Sequence, residues 1–129
     1  VERAMRLLSR KHRKALCGAK VLALGVAYKN DIDDCRESPA IRVLKLLREE
    51  GAEVTYFDPW VAQYKEDGQV YYSEKELTPE LIQAADLVVV TAGHNNVDYA
   101  MVQKNAKAVF DTKNVMRKHN AFGDNVEVL

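Results

Sequence analysis

Lys29 and Arg36, with Asp31, Asp33 and Asp34 between them, are the side chains of this sequence best suited to holding an anion. Lysine presents a compact charge that suits a phosphate oxygen. Arginine presents a planar fork that fits phosphate, carboxylate or amide oxygen. Both lie in the segment that begins Gly25-Val26-Ala27-Tyr28-Lys29 and ends at Glu37-Ser38-Pro39, directly after the apolar run Val21-Leu22-Ala23-Leu24. A dinucleotide fingerprint at such a turn needs GxGxxG, so that bare backbone can approach a pyrophosphate. Here Gly25 stands alone, Ala27 and Lys29 interrupt the pattern, and the segment is too long for the usual tight turn. Cationic side chains thus stand where glycine backbone works in ordinary dinucleotide folds. A plainer arrangement, Asp33 or Asp34 paired with Arg36 to hold the loop, is open on the same residues and compatible with the first.

Other reactive side chains are scattered. Asp58 closes the run Glu53 to Phe57 and precedes Pro59. An acidic residue there can bond ribose hydroxyls in a dinucleotide fold or cap the turn, and the missing glycines favour the cap. Cys17 and Cys35 lack CxxC spacing, and His12, His94 and His119 are dispersed, so neither a disulfide framework nor a metal site is expected. The basic group Arg10, Lys11, Arg13 and Lys14 could touch phosphates, but a solvated helix end is the simpler reading.

The elements that must position these groups alternate in type. Val21 to Leu24 reads as a buried strand ending at Gly25. Ser38-Pro39 is a helix start, and Ala40, Val43, Leu44 and Leu47 form its apolar stripe, with Arg42, Lys45, Arg48 and Glu49 on the wet side. Gly51 closes that helix. A second strand runs from Glu53 to Phe57. Trp60 to Lys75 is polar and loop-like apart from Val70-Tyr71-Tyr72, a candidate short edge strand. Thr78-Pro79-Glu80 opens a helix to about Ala85. Leu87 to Val90, apolar without alternation, reads as a central strand. A short helix from Val97 to Asn105 follows, then a strand at Ala108 to Phe110 ending at Asp111, and a last strand at Val126 to Leu129. This alternation predicts an α/β fold, a Rossmann-like three-layer α/β/α sandwich with a mostly parallel sheet of about five strands. Ligands in such sheets sit beyond the carboxyl ends of the strands, where the loops just described fall.

The 129 residues suit one core, with 47% hydrophobic and 29% charged residues and zero formal net charge. That neutrality argues against recruitment of nucleic acid or an anionic membrane, and no apolar run is long enough to cross a bilayer. A reducing cytoplasm is the expected compartment. The chain opens at Val1 with Met5 inside a helical stripe of Val1, Ala4, Met5 and Leu8. Residues 1–16 are therefore expected to be a helix or linker continuing from an upstream region, and residues 17–129 the folded domain.

Gly25-Val26-Ala27-Tyr28-Lys29 followed by Asp33-Asp34-Cys35-Arg36-Glu37-Ser38-Pro39 strongly resembles the signature opening the C-terminal domain of the UDP-glucose/GDP-mannose dehydrogenase family. The likeness continues through Gly51-Ala52-Glu53-Val54, Asp58-Pro59 and Asp111-Thr112-Lys113-Asn114, spanning roughly residues 18–118. His94 followed by Val97-Asp98-Tyr99 is similar to the members that oxidise UDP-N-acetylhexosamines. The resemblance implies a UDP-sugar-binding domain of an NAD-dependent enzyme that oxidises a sugar C6 hydroxyl to a carboxylate. It implies that Tyr28, Lys29 and Asn114 bind the substrate and that Arg36 reaches NAD, which is held mainly by an N-terminal domain. It implies partner segments of the same chain and a homodimeric complete enzyme. The family's nucleophilic cysteine lies upstream of this domain, so Cys17 and Cys35 are bystanders, no catalytic residue is assigned here, and this piece alone should be inactive. Many relatives carry arginine where Lys113 stands.

Three other functions fit parts of the pattern. A phospho-receiver-like signalling module would use Asp33, Asp34, Thr91 and Lys113, but needs a phosphoacceptor aspartate ending the middle strand, and Val70 to Glu74 offers none. A stand-alone nucleotide-binding module is opposed by the missing glycines. Nucleic-acid binding through the basic N-terminal helix is opposed by the neutral charge.

Overall fold

A computed structural model of the chain describes residues 17–26, 39–94, 97–121 and 123–128. Five strands form one sheet: β1 (Lys20–Leu24), β2 (Glu53–Phe57), β5 (Leu87–Val90), β6 (Val109–Asp111) and β7 (Val126–Val128). Their order is β2-β1-β5-β6-β7, and every pairing is parallel. Two further strands, β3 (Gln63–Glu66) and β4 (Gln69–Tyr72), make a separate antiparallel hairpin. The expected edge strand at Val70-Tyr71-Tyr72 is therefore half of this hairpin, and the loop expected from Trp60 to Lys75 contains it. The sheet's edges are β2 and β7.

Alternate residues of the strands feed two cores. Leu22, Leu24, Val88, Val90 and Val109 face helices α2 (Pro79–Ala84), α3 (Tyr99–Asn105) and α4 (Val115–Lys118). Val21, Ala23, Leu87, Val89 and Phe110 face the other way, where α1 (Pro39–Glu49) and the hairpin pack. Helices on both faces make the expected three layers. β5 is buried at all four positions, which explains its lack of alternation.

α1 begins at Pro39, whose missing N–H costs nothing in a first turn. Leu44 and Leu47 are fully buried beneath it, each contributing about 1.5–3 kcal/mol of docking energy. Its end is a Schellman closure: the Gly51 N–H donates to the Arg48 carbonyl (2.9 Å) and the Ala52 N–H to the Leu47 carbonyl (3.1 Å). Arg48 and Lys45, expected on the wet side, instead meet the hairpin. The Arg48 guanidinium lies 3.8 Å over the Tyr71 ring and donates to the Tyr64 hydroxyl at 3.1 Å, while Lys45 pairs with Asp67 at 2.8 Å. Thr78 caps α2 by accepting from the Leu81 N–H, and Asp98 caps α3 by accepting from the Met101 N–H. α4 was not foreseen; four residues are too few to show a helical period.

Candidate functional site

Numbering only the sheet strands, the order is 2-1-3-4-5, so the chain winds one way from β1 to β2 and the other way from β1's second neighbour onward. The carboxyl ends of β1 and β5 flank this switch point, where open α/β sheets hold ligands. Everything at this edge is built from the loops that leave those strands.

β1 is followed by Gly25, whose N–H donates to the Phe57 carbonyl (2.9 Å) and whose φ is +93°. The backbone passes so close to Ala92 that a side chain at position 25 would collide with it. Thr91 secures the contact from β5: its hydroxyl donates to the Leu24 and Gly25 carbonyls, and its N–H to the Leu24 carbonyl. One residue on, the Val26 N–H has left the sheet and donates to Asp58 Oδ2 at 2.8 Å.

Asp58 is the hub of this edge. Its Oδ1 accepts from the Trp60 N–H (2.8 Å) and the Val61 N–H (3.2 Å), which confirms the turn cap read from Asp58-Pro59. Its Oδ2 accepts from Val26 and also lies 3.0 Å from His94 Nε2, and both side chains are buried. Burial pushes the Asp58 carboxyl up, but hydrogen bonds from His94, Val26 and Trp60, with the charge of His94, outweigh it and hold the group below the ordinary 3.8. The carboxylate is thus engaged by protein donors on both oxygens. His94 is tied in turn to α3, since its carbonyl accepts from the Tyr99 hydroxyl at 2.7 Å.

At the neighbouring strand end, buried Asp111 accepts from the Lys113 N–H (3.0 Å) and the Met116 N–H (2.9 Å), shaping the turn into α4. That turn leaves Lys113 and Asn114 exposed on the same edge, with Asn114 left-handed (φ 56°, ψ 37°) and its side chain not capping the helix. The structure therefore brings Asn114 to the edge where Gly25 and His94 lie. Tyr28, Lys29 and Arg36 fall outside the described residues, as do Asp33, Asp34 and Cys35. Their flanking anchors, Val26 and Pro39, are described. Cys17 is an exposed free thiol at the opposite end, ahead of β1.

The Asp58–His94 pair is the feature that sequence reasoning missed. The two side chains come from β2 and β5, which are separated by β1, and meet across its end. Only the paired reading of two strand-end loops could have found it. An open groove of about 260 Å³ lined by Lys45, Arg48, Glu49, Glu66, Asp67 and Tyr71 lies elsewhere, beside the last turns of α1. Those turns sit at the amino end of the sheet, as the Gly18 N–H bond to the Gly51 carbonyl shows. Among the described residues no three His, Cys, Asp or Glu side chains converge as a metal site would require, and no helix is long and apolar enough to cross a membrane. β5, the third sheet strand in chain order, ends at Val90 and is followed by Thr91, so the aspartate a phospho-receiver needs there is missing.

Residues 22–118 match the sequence profile of the UDP-glucose/GDP-mannose dehydrogenase family, UDP binding domain. The UDP-N-acetyl-D-mannosamine dehydrogenase of Methanococcus maripaludis is 32% identical over 122 residues, covering 88% of this chain and 27% of that protein. The enzyme of the same name from Methanocaldococcus jannaschii is 34% identical, covering 77% of this chain and 23% of that protein. The crystal structure of an NDP-N-acetyl-D-galactosaminuronic acid dehydrogenase from Methanosarcina mazei superposes with a TM-score of 0.77 at 27% identity, over 98% of this chain and 27% of that one. The UDP-N-acetyl-mannosamine dehydrogenase of Staphylococcus aureus superposes with a TM-score of 0.64 at 33% identity, over 97% and 29%. The chain thus spans about a quarter of the length of the proteins it resembles.

Proposed function

The chain belongs to the UDP-glucose/GDP-mannose dehydrogenase family, in its UDP-binding domain, and from that premise we propose that it grips the nucleotide of a UDP-N-acetylhexosamine for a complete NAD-dependent 6-dehydrogenase. The whole enzyme oxidises the sugar's C6 hydroxyl to a carboxylate. This chain contributes binding and orientation, and by itself does not turn over. Carrying the reading is the place where the signature leaves the sheet: Gly25-Val26 emerges at the switch point between β1 and β5.

Lys29 supplies a charge-assisted contact to the diphosphate, and Tyr28 a stacking face or a hydroxyl. Asn114, with its exposed amide on the same edge, completes the substrate contacts. Arg36 faces the NAD that the rest of the enzyme holds. The described residues of this chain do not fit a resident NAD. Asp58, the acid that would bond the ribose in a dinucleotide fold, has both oxygens taken up by protein donors. The parent works in the cytoplasm as a homodimer.

Calorimetric titration of the chain with UDP and, separately, with NAD tests the reading. UDP should bind, and Lys29→Ala should weaken it about tenfold or more, because a hydrogen bond to a charged group contributes roughly 1.5–3 kcal/mol. Binding of NAD without binding of UDP would overturn the assignment.

A further inference from the structure

The Asp58–His94 pair is buried, sits at the switch point and has no part in the contacts assigned above. We propose that Asp58 and His94 are positioning residues for the nucleotide: together they fix the level and direction at which the chain leaves β1 at Val26, just ahead of Tyr28 and Lys29 in the sequence. The inference rests on the UDP-binding reading and extends it.

Four observations carry it. First, the two oxygens have different work. Oδ1 alone satisfies the turn after β2, through Trp60 and Val61. Oδ2 is directed across the end of β1, to Val26 and His94. A residue needed only as a turn cap would not require that second set.

Second, the hydrogen bonding changes in kind at Val26. The Gly25 N–H still donates to a strand carbonyl, that of Phe57. The Val26 N–H donates instead to Asp58 Oδ2, which holds the last peptide before the signature's Ala27-Tyr28-Lys29.

Third, His94 is oriented from behind. Its carbonyl is held by the Tyr99 hydroxyl, and Tyr99 is buried in the core under β5 and β6. The imidazole therefore transmits the position of the packed α3 face to the carboxylate.

Fourth, the pair is costly to break in one half only. Removing a partner leaves a buried carboxylate short of a donor, and the local backbone must move to rehydrate it. The backbone bonded directly to that carboxylate is the exit from β1, at Val26.

UDP affinity and melting temperature of the chain, measured together, separate positioning from mere stabilisation. In His94→Leu, with folding verified by circular dichroism, UDP binding should fall about tenfold or more, as misplaced contacts do. In His94→Gln, whose Nε2–H can reach Asp58 as the imidazole does, affinity should return to within a few-fold of the unaltered chain. A His94→Leu chain that melts earlier but binds UDP as tightly as before would overturn the proposal and leave the UDP reading intact. An unaltered chain that binds no UDP would overturn both. Should His94→Leu fail to fold, Asp58→Asn replaces it: affinity lost there but kept in His94→Gln supports the proposal, and equal affinity in the two overturns it.

Discussion

An alanine at position 25 would put its Cβ 2.5 Å from that of Ala92 and 2.9 Å from the Ala92 carbonyl oxygen, at φ +93°. Both the contact and the left-handed backbone oppose it, and the neighbour is backbone of the adjoining strand exit rather than a flexible tip. Gly25→Ala should therefore destabilise the chain by roughly 2–4 kcal/mol in urea unfolding. A change below about 0.5 kcal/mol would show that the β1 exit tolerates displacement. The same residue explains what the sequence could and could not tell. Gly25 was recognisable as the lone glycine after an apolar run, and Asp58 as a turn cap because Pro59 follows it. His94 was readable only as a family likeness. Its partner is 36 positions away and on a strand that is not a neighbour of its own. No local pattern marks such a pair.

Among the elements, strands and helices with strong local chemistry were legible nearly to the residue. β2 and β5 have the expected bounds, and α2 starts at Pro79 under a Thr78 cap as read. The hairpin was not legible, because Gln63–Glu66 carries one buried side chain, Tyr64, and lacks the apolar alternation that marks a strand. Its turn, Asp67-Gly68, does bear the hairpin signature, with both residues at positive φ. What holds the hairpin is the docking of Tyr64 and Tyr71 on α1 through Arg48, which only the assembled fold reveals. Arg48→Ala should cost about 1–2 kcal/mol, through the lost stacking and hydrogen bond. Burial already raises the Tyr64 hydroxyl above the ordinary 10.0, against the lowering effect of Arg48. Without Arg48 the phenolate loses its cation, so the Tyr64 titration should move further up in an ultraviolet pH titration. A downward movement would show that Arg48 does not face this hydroxyl in solution.

For the molecule as a whole, the fold class followed from the β/α alternation alone, while the substrate loop at its edge came from the resemblance. Acid stability depends in part on carboxylates that bind protons differently in the folded and unfolded chain. Asp58 is lowered in the folded state, so it binds protons less readily there than in the unfolded chain. Its contribution is present above the unfolded value, about 3.9, and disappears as pH falls through the lower folded value. The stability gap between the unaltered chain and Asp58→Asn, from urea unfolding, should therefore narrow as pH drops below about 4. A constant gap from pH 7 to about 2.5 would show that folding does not lower the Asp58 carboxyl.

The parallel pairing of β1 with β5 also has a consequence for biosynthesis. Val21 and Leu87 are register partners, and the Lys20–Asp86 bond at the base of the same seam joins residues 66 positions apart. During translation β1 can recruit β2 early, but its second edge stays bare until the ribosome has delivered β5. That apolar edge is where a trigger-type chaperone would engage the growing polypeptide, and where a stalled one would stick to its neighbours.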